Sequence, residues 1–121
     1  MMSRKRIILA VDDSPVLLKS VASVLNDEYK VFTLPRPAEI KRILEQIVPD
    51  LFLLDYLMPD INGYELIQII RSFEEHKETP IIFLTSMETI DSKAAGAVDF
   101  IVKPFSPESL REKISKYICR G

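Results

Sequence analysis

Five short apolar runs, rich in branched residues and separated by stretches of a different period, constrain this chain more than any other feature. The runs cover residues 7–11, 29–34, 51–54, 81–84 and 98–102. Three of them lack polar alternation, which suits strands covered on both faces. Between the runs, apolar residues recur at helical spacing. Val16/Leu17, Val21 and Val24/Leu25 follow Asp13 and Ser14, either of which can cap a helix that has Pro15 in its first turn. Ile40, Ile43/Leu44 and Ile47 repeat the pattern, as do Leu66, Ile69/Ile70 and Phe73. A last segment opens with Ser106-Pro107-Glu108, a cap and then proline, and carries Leu110, Ile114, Tyr117 and Ile118. Alternating strands and helices imply parallel pairing with right-handed crossovers, hence a doubly wound α/β sheet with helices on both faces.

In such sheets ligands gather beyond the carboxyl ends of the strands, near the point where strand order reverses. Run one ends in Asp12-Asp13, run three in Asp55, run four in Thr85 and run five in Lys103-Pro104. A strand-end aspartate taken alone is more often a turn or cap residue. Taken together, three carboxylates, a hydroxyl and an ammonium share one rim. Two unit charges about 4 Å apart repel by roughly 4 kcal/mol at an effective dielectric of 20. One lysine cannot balance three acids. A hard divalent cation can, and Mg²⁺, which uses one or two protein carboxylates and keeps several waters, fits best. Cation, ammonium and hydroxyl donor also form a phosphoryl-binding set, leaving one carboxylate to act as nucleophile and form an acyl phosphate.

Length and charge exclude other classes. The chain has 121 residues, the size of one domain, and a formal charge of -2, which argues against a nucleic-acid or anionic-membrane binder. Cys119 is the only cysteine, so no internal disulfide forms and no cysteine metal cluster is possible. We expect a free thiol in a reducing, cytoplasmic setting. No apolar run approaches the roughly 20 residues of a membrane span. Arg4, Lys5 and Arg6 precede an apolar stretch, but it runs straight into Asp12 and Asp13 without a cleavage site, unlike a signal peptide.

Four motifs, in order, carry a resemblance. They are Ile8-Leu9-Ala10-Val11-Asp12-Asp13-Ser14, then Asp55-Tyr56-Leu57-Met58-Pro59-Asp60-Ile61-Asn62-Gly63, then Leu84-Thr85-Ser86, and Ala97-Val98-Asp99-Phe100-Ile101-Val102-Lys103-Pro104-Phe105. Over nearly its whole length, 1–121, the chain resembles the receiver domain of two-component response regulators, chemotaxis-regulator-like. The resemblance implies a flavodoxin-like fold, a five-stranded parallel sheet of order 2-1-3-4-5 with five helices. It implies that Asp55 accepts a phosphoryl group from the phosphohistidine of a sensor histidine kinase or phosphotransfer protein. Asp13 would then ligate Mg²⁺ directly, Asp12 would hold a metal-bound water, and the backbone carbonyl of Leu57 would complete the protein ligands. Lys103 would pair with the phosphoryl group, with a cis peptide bond at Pro104. Thr85 and Phe100 match the family's switch pair, Ser86 and Leu57 border the phosphoryl group, and Gly63 matches the glycine that turns the loop into the next helix. An apolar Leu57 cannot hold an attacking water, so self-dephosphorylation should be slow.

One stretch departs from the family. Thr85 and Lys103 are 18 positions apart, about one helical turn short. The fourth helix should therefore be a shortened one over 88–95, with Ile90 and Ala94 as its apolar face; either the signalling surface beside it is remodelled, or the sequence omits a mobile stretch there. His76, among Glu74, Glu75, Lys77 and Glu78, is expected on a solvated face. Two other classes fit the strand-end residues less well. A flavodoxin-like flavin-binding module wants a hydroxyl- and glycine-rich phosphate loop where Asp12-Asp13 would repel a phosphate. An aspartate-nucleophile phosphatase wants a second acid where Ser14 and Pro15 stand. No basic recognition helix is present, so the expected output is through an unknown downstream protein target, by a free-standing regulator or as part of a longer protein.

Overall fold

The computed structural model describes residues 5–58, 61–86 and 96–118. Strand β1 (Ile7–Val11) leads into helix α1 (Pro15–Leu25), then β2 (Lys30–Leu34), α2 (Ile40–Leu44), β3 (Leu51–Asp55), α3 (Gly63–Arg71), β4 (Ile81–Thr85), β5 (Asp99–Val102) and α4 (Pro107–Tyr117). All strand pairs are parallel, and their order is β2-β1-β3-β4-β5. The expected short fourth helix falls on 88–95, outside the described residues, so α4 is the helix that opens at Pro107. Cys119 lies outside them too.

Successive residues of each central strand feed opposite cores, as the pleat requires. Ile8, Ala10, Leu51, Leu53, Ile82 and Leu84 pack beneath α1 and α4 with Leu18, Val21, Leu110 and Ile114. Leu9, Val11, Phe52, Leu54, Ile81 and Phe83 pack against α2 and α3 with Ile40, Leu44, Leu66 and Ile70. Every residue of β3 and β4 is buried, which is why those runs show no polar alternation.

Local chemistry fixes where the helices begin. Ser14, not Asp13, caps α1: its backbone is extended, its hydroxyl accepts from the Leu17 N–H at 3.3 Å, and Pro15 fills the first turn. Ser106 caps α4 in the same way. Asn62 and Glu65 close a reciprocal capping box on α3, each side chain accepting from the other's backbone N–H. Gly63 follows at the first helical position for a steric reason rather than a conformational one. A Cβ there would stand 2.6 Å from Phe83 Cε1 and 3.1 Å from Tyr56 Cα, and the Gly63 N–H bonds the Tyr56 carbonyl at 2.8 Å. Its φ is not in the left-handed region, where Gly96 alone lies among the described residues.

The expectation for His76 is overturned. Helix α3 stops at Arg71, and a single 3₁₀ turn, Glu74–His76, swings the imidazole inward until it is 1% exposed. The ring meets Phe52 edge-on at 5.0 Å between centroids, and Nδ1 lies 2.9 Å from the Thr79 hydroxyl. The Arg71 guanidinium holds this bend by donating to the carbonyls of His76, Thr79 and Gly96. Burial pulls the imidazole below its ordinary pKa, and Arg71 adds to this against the Glu75 and Asp50 carboxylates.

Candidate functional site

The site follows from register. Val11 lies opposite Leu54, so Asp12, one residue on, comes level with Asp55 at the end of β3. The two strands leave in opposite lateral directions, β1 to β2 and β3 to β4, which makes this gap the point where sheet order reverses. Thr85 pairs with Val102 at the neighbouring edge, and the next residue of that strand is Lys103. A hydrogen bond from the Lys103 N–H to the Thr85 carbonyl, 2.7 Å, extends the ladder to the rim. The Lys103-Pro104 peptide bond is cis.

Asp12, Asp13 and Asp55 each offer a carboxylate oxygen, all within 4.8 Å of one another. Asp12 is 1% exposed and Asp55 5%, whereas Asp13 faces solvent. Lys103 Nζ donates to Asp12 Oδ2 at 2.9 Å and lies 3.4 Å from Asp55 Oδ1. The Ser14 N–H donates to Asp12 Oδ1, and the Leu57 N–H to Asp55 Oδ1 at 3.3 Å. Thr85 is buried at the rim, Ser86 is exposed beside it, Phe100 is half-buried on β5, and the Leu57 side chain is 54% exposed at the mouth.

Charge is the site's unsolved problem. Burial, and then the charge of Asp12, raise the Asp55 carboxyl from its ordinary 3.8 to about 6, against the opposing pull of Lys103 and the Leu57 N–H. Burial also disfavours the Lys103 ammonium, but its hydrogen bond to Asp12 and the charges of both acids outweigh that, and its pKa rises. One half-buried cation therefore serves three acids. The donor set fits a hard divalent ion such as Mg²⁺: it is all-oxygen, and its three carboxylate oxygens lie within 4.8 Å of one another. An acidic mouth is equally ill-suited to a flavin phosphate.

Sequence reasoning located the acids, the lysine and Thr85. It missed the Leu57 N–H, which bonds Asp55 through the main chain and leaves no trace in side-chain identity. It also missed a cluster beside Phe100, where the Asp99 carboxylate accepts from Lys113 Nζ at 2.8 Å, Tyr117 Oη at 2.9 Å and the Phe100 N–H at 2.8 Å. These residues lie on separate elements, and no local spacing announces them.

Comparison with known proteins gives the geometry its context. A sequence model described as the response regulator receiver domain matches residues 8–115. The phosphate regulon transcriptional regulatory protein PhoB of Rhizobium meliloti is 33% identical over 94% of this chain and 52% of its own. The chemotaxis response regulator CheY4 of Vibrio cholerae superposes with a TM-score of 0.88 at 31% identity, covering 95% of this chain and all of that one. The response regulator TrrA of Thermotoga maritima, solved in complex with Mg²⁺-BeF, gives a TM-score of 0.81 at 31% identity over 93% of this chain and 99% of its own. The chain spans about half the length, or less, of the curated relatives it matches.

Proposed function

Because this chain belongs to the receiver domains of two-component response regulators, we propose that Asp55 is its phosphoacceptor and that the rim around it is the phosphotransfer site. The observation that carries this is the pairing of two buried acids, Asp12 and Asp55, with one lysine and an exposed third acid.

In this reading an Asp55 carboxylate oxygen attacks the phosphorus of a kinase or phosphotransfer-protein phosphohistidine. The P–N bond breaks, the imidazole leaves with a proton, and an aspartyl phosphate remains. A carboxylate titrating near 6 is ionised at neutral pH yet more basic than an exposed one, which suits a nucleophile. Lys103 already touches both acids and can turn one of its protons toward a phosphoryl oxygen. Thr85, buried at the adjoining strand end, supplies a hydroxyl, and Ser86 borders the same space. Asp12, Asp13, Asp55 and the Leu57 carbonyl would hold Mg²⁺, which when bound neutralises charge on the transferred group. The domain thus catalyses its own phosphorylation and slow hydrolysis. Its output is a change at a protein-binding surface, through Thr85 and Phe100. We assign it a cytoplasmic location and neither nucleic acid nor membrane as direct partner; among the described residues no helix is long and apolar enough to cross a membrane.

The test is incubation with Mg²⁺ and acetyl phosphate followed by intact mass. We expect a gain of one phosphoryl group, lost in Asp55→Asn and on chelation of the metal. A gain that persists in Asp55→Asn would overturn the assignment.

A further inference from the structure

Resting on the switch role given to Phe100 above, we propose that Lys113 is a positioning residue whose ammonium, anchored by Asp99, restrains the Phe100 ring and biases the domain toward its unphosphorylated form. The Lys113 Nζ lies 5.7 Å from the centre of the Phe100 ring, within the range of a cation–π contact. It is fixed there by the 2.8 Å ion pair with Asp99, whose other oxygen is held by Tyr117.

The arrangement bridges an edge. Strand β5 is the last of the sheet. Ile101 packs under α4, so Asp99, two residues away, shares that face, where Lys113 and Tyr117 of α4 meet it. Phe100 packs toward the opposite core. Lys113 therefore reaches from α4 around the strand edge to a ring on the other side. An ordinary surface ion pair loses most of its worth to side-chain freedom. Here the cation is held by the same carboxylate oxygen that accepts from the Phe100 N–H, so ring and ammonium hang from one anchor. A ring that turns inward when Thr85 shifts toward a phosphoryl group leaves the cation behind. The contact belongs to one state only, and a difference of that kind moves an equilibrium.

The experiment is titration of the full chain with beryllium fluoride in saturating Mg²⁺, read by fluorine NMR, in wild type, Lys113→Met and Lys113→Arg. Lys113→Met should bind the phosphoryl mimic about two- to fivefold more tightly, as expected for losing an exposed cation–π contact from the resting state alone. Lys113→Arg, which keeps the cation, should match wild type. In a Phe100→Leu background the Lys113→Met effect should vanish. Should Lys113→Met unfold, Asp99→Asn releases the same ammonium and should tighten binding likewise. Unchanged or weaker binding in Lys113→Met, or the same gain without the Phe100 ring, overturns the restraint while leaving the acceptor assignment intact. Failure of wild type to bind the mimic at all removes the acceptor assignment and the restraint with it.

Discussion

Asp55 is asked to be buried and charged at once, and its environment shows the cost. In the folded chain its carboxyl titrates near 6, above the ordinary 3.8, so between those values the native state holds a proton that the unfolded chain has released. The group therefore favours folding most at low pH, and its contribution is lost as pH rises through about 6. A metal ion reverses the balance by competing with that proton. Calorimetric titration with Mg²⁺ should show affinity falling about tenfold for each unit below pH 6 and levelling above it. A flat profile across that range would contradict the titration assigned to Asp55. Leu57 sets a second property at this scale. Its side chain, 54% exposed beside the acceptor, offers no hydrogen bond to an attacking water. Leu57→Asn should speed loss of the phosphoryl group several-fold, followed by intact mass after removal of the donor. An unchanged rate would dismiss the idea that this side chain governs water access.

At the scale of elements, the packing beneath α3 holds the site's floor in place. The capping box of Asn62 and Glu65 starts the helix, and Gly63 lets it approach Phe83, which Tyr56 meets edge-on at 5.0 Å. Gly63→Ala must displace a fully buried ring or the Tyr56 backbone, one residue from Asp55. It should cost about 1–3 kcal/mol, as overpacked sites do, and lower the urea midpoint without changing the slope. An unaltered midpoint would show that the contact yields freely. Elements also show what sequence could and could not reveal. Strand ends and helix starts were legible because Asp12, Asp55, Thr85, Ser14 and Ser106 stand where periodicity changes. His76 was not: its burial depends on one 3₁₀ turn and on three carbonyls gathered by Arg71, none of which has a period. The Asp99–Lys113 pair was hidden for a related reason, since strand and helix meet only in the folded sheet.

For the whole molecule, topology makes the site. Strand order reverses between β1 and β3, so the buried acids that end them meet across the gap between the two strands, and β5 brings Lys103 to the same rim. The family assignment accounts for this convergence, and 31% identity to CheY4 over that protein's full length shows that the fold requires little of the remaining sequence. Its longer relatives carry further sequence that this chain does not match. Phosphotransfer here rests on a single side-chain oxygen of Asp55, and chemical trapping identifies it. After reaction with acetyl phosphate and Mg²⁺, borohydride reduces an aspartyl phosphate to homoserine, and peptide mass mapping locates the change. We expect homoserine at position 55 alone, and none when Mg²⁺ is withheld. Conversion at Asp12 or Asp13 instead, or labelling at 55 that needs no metal, would contradict it.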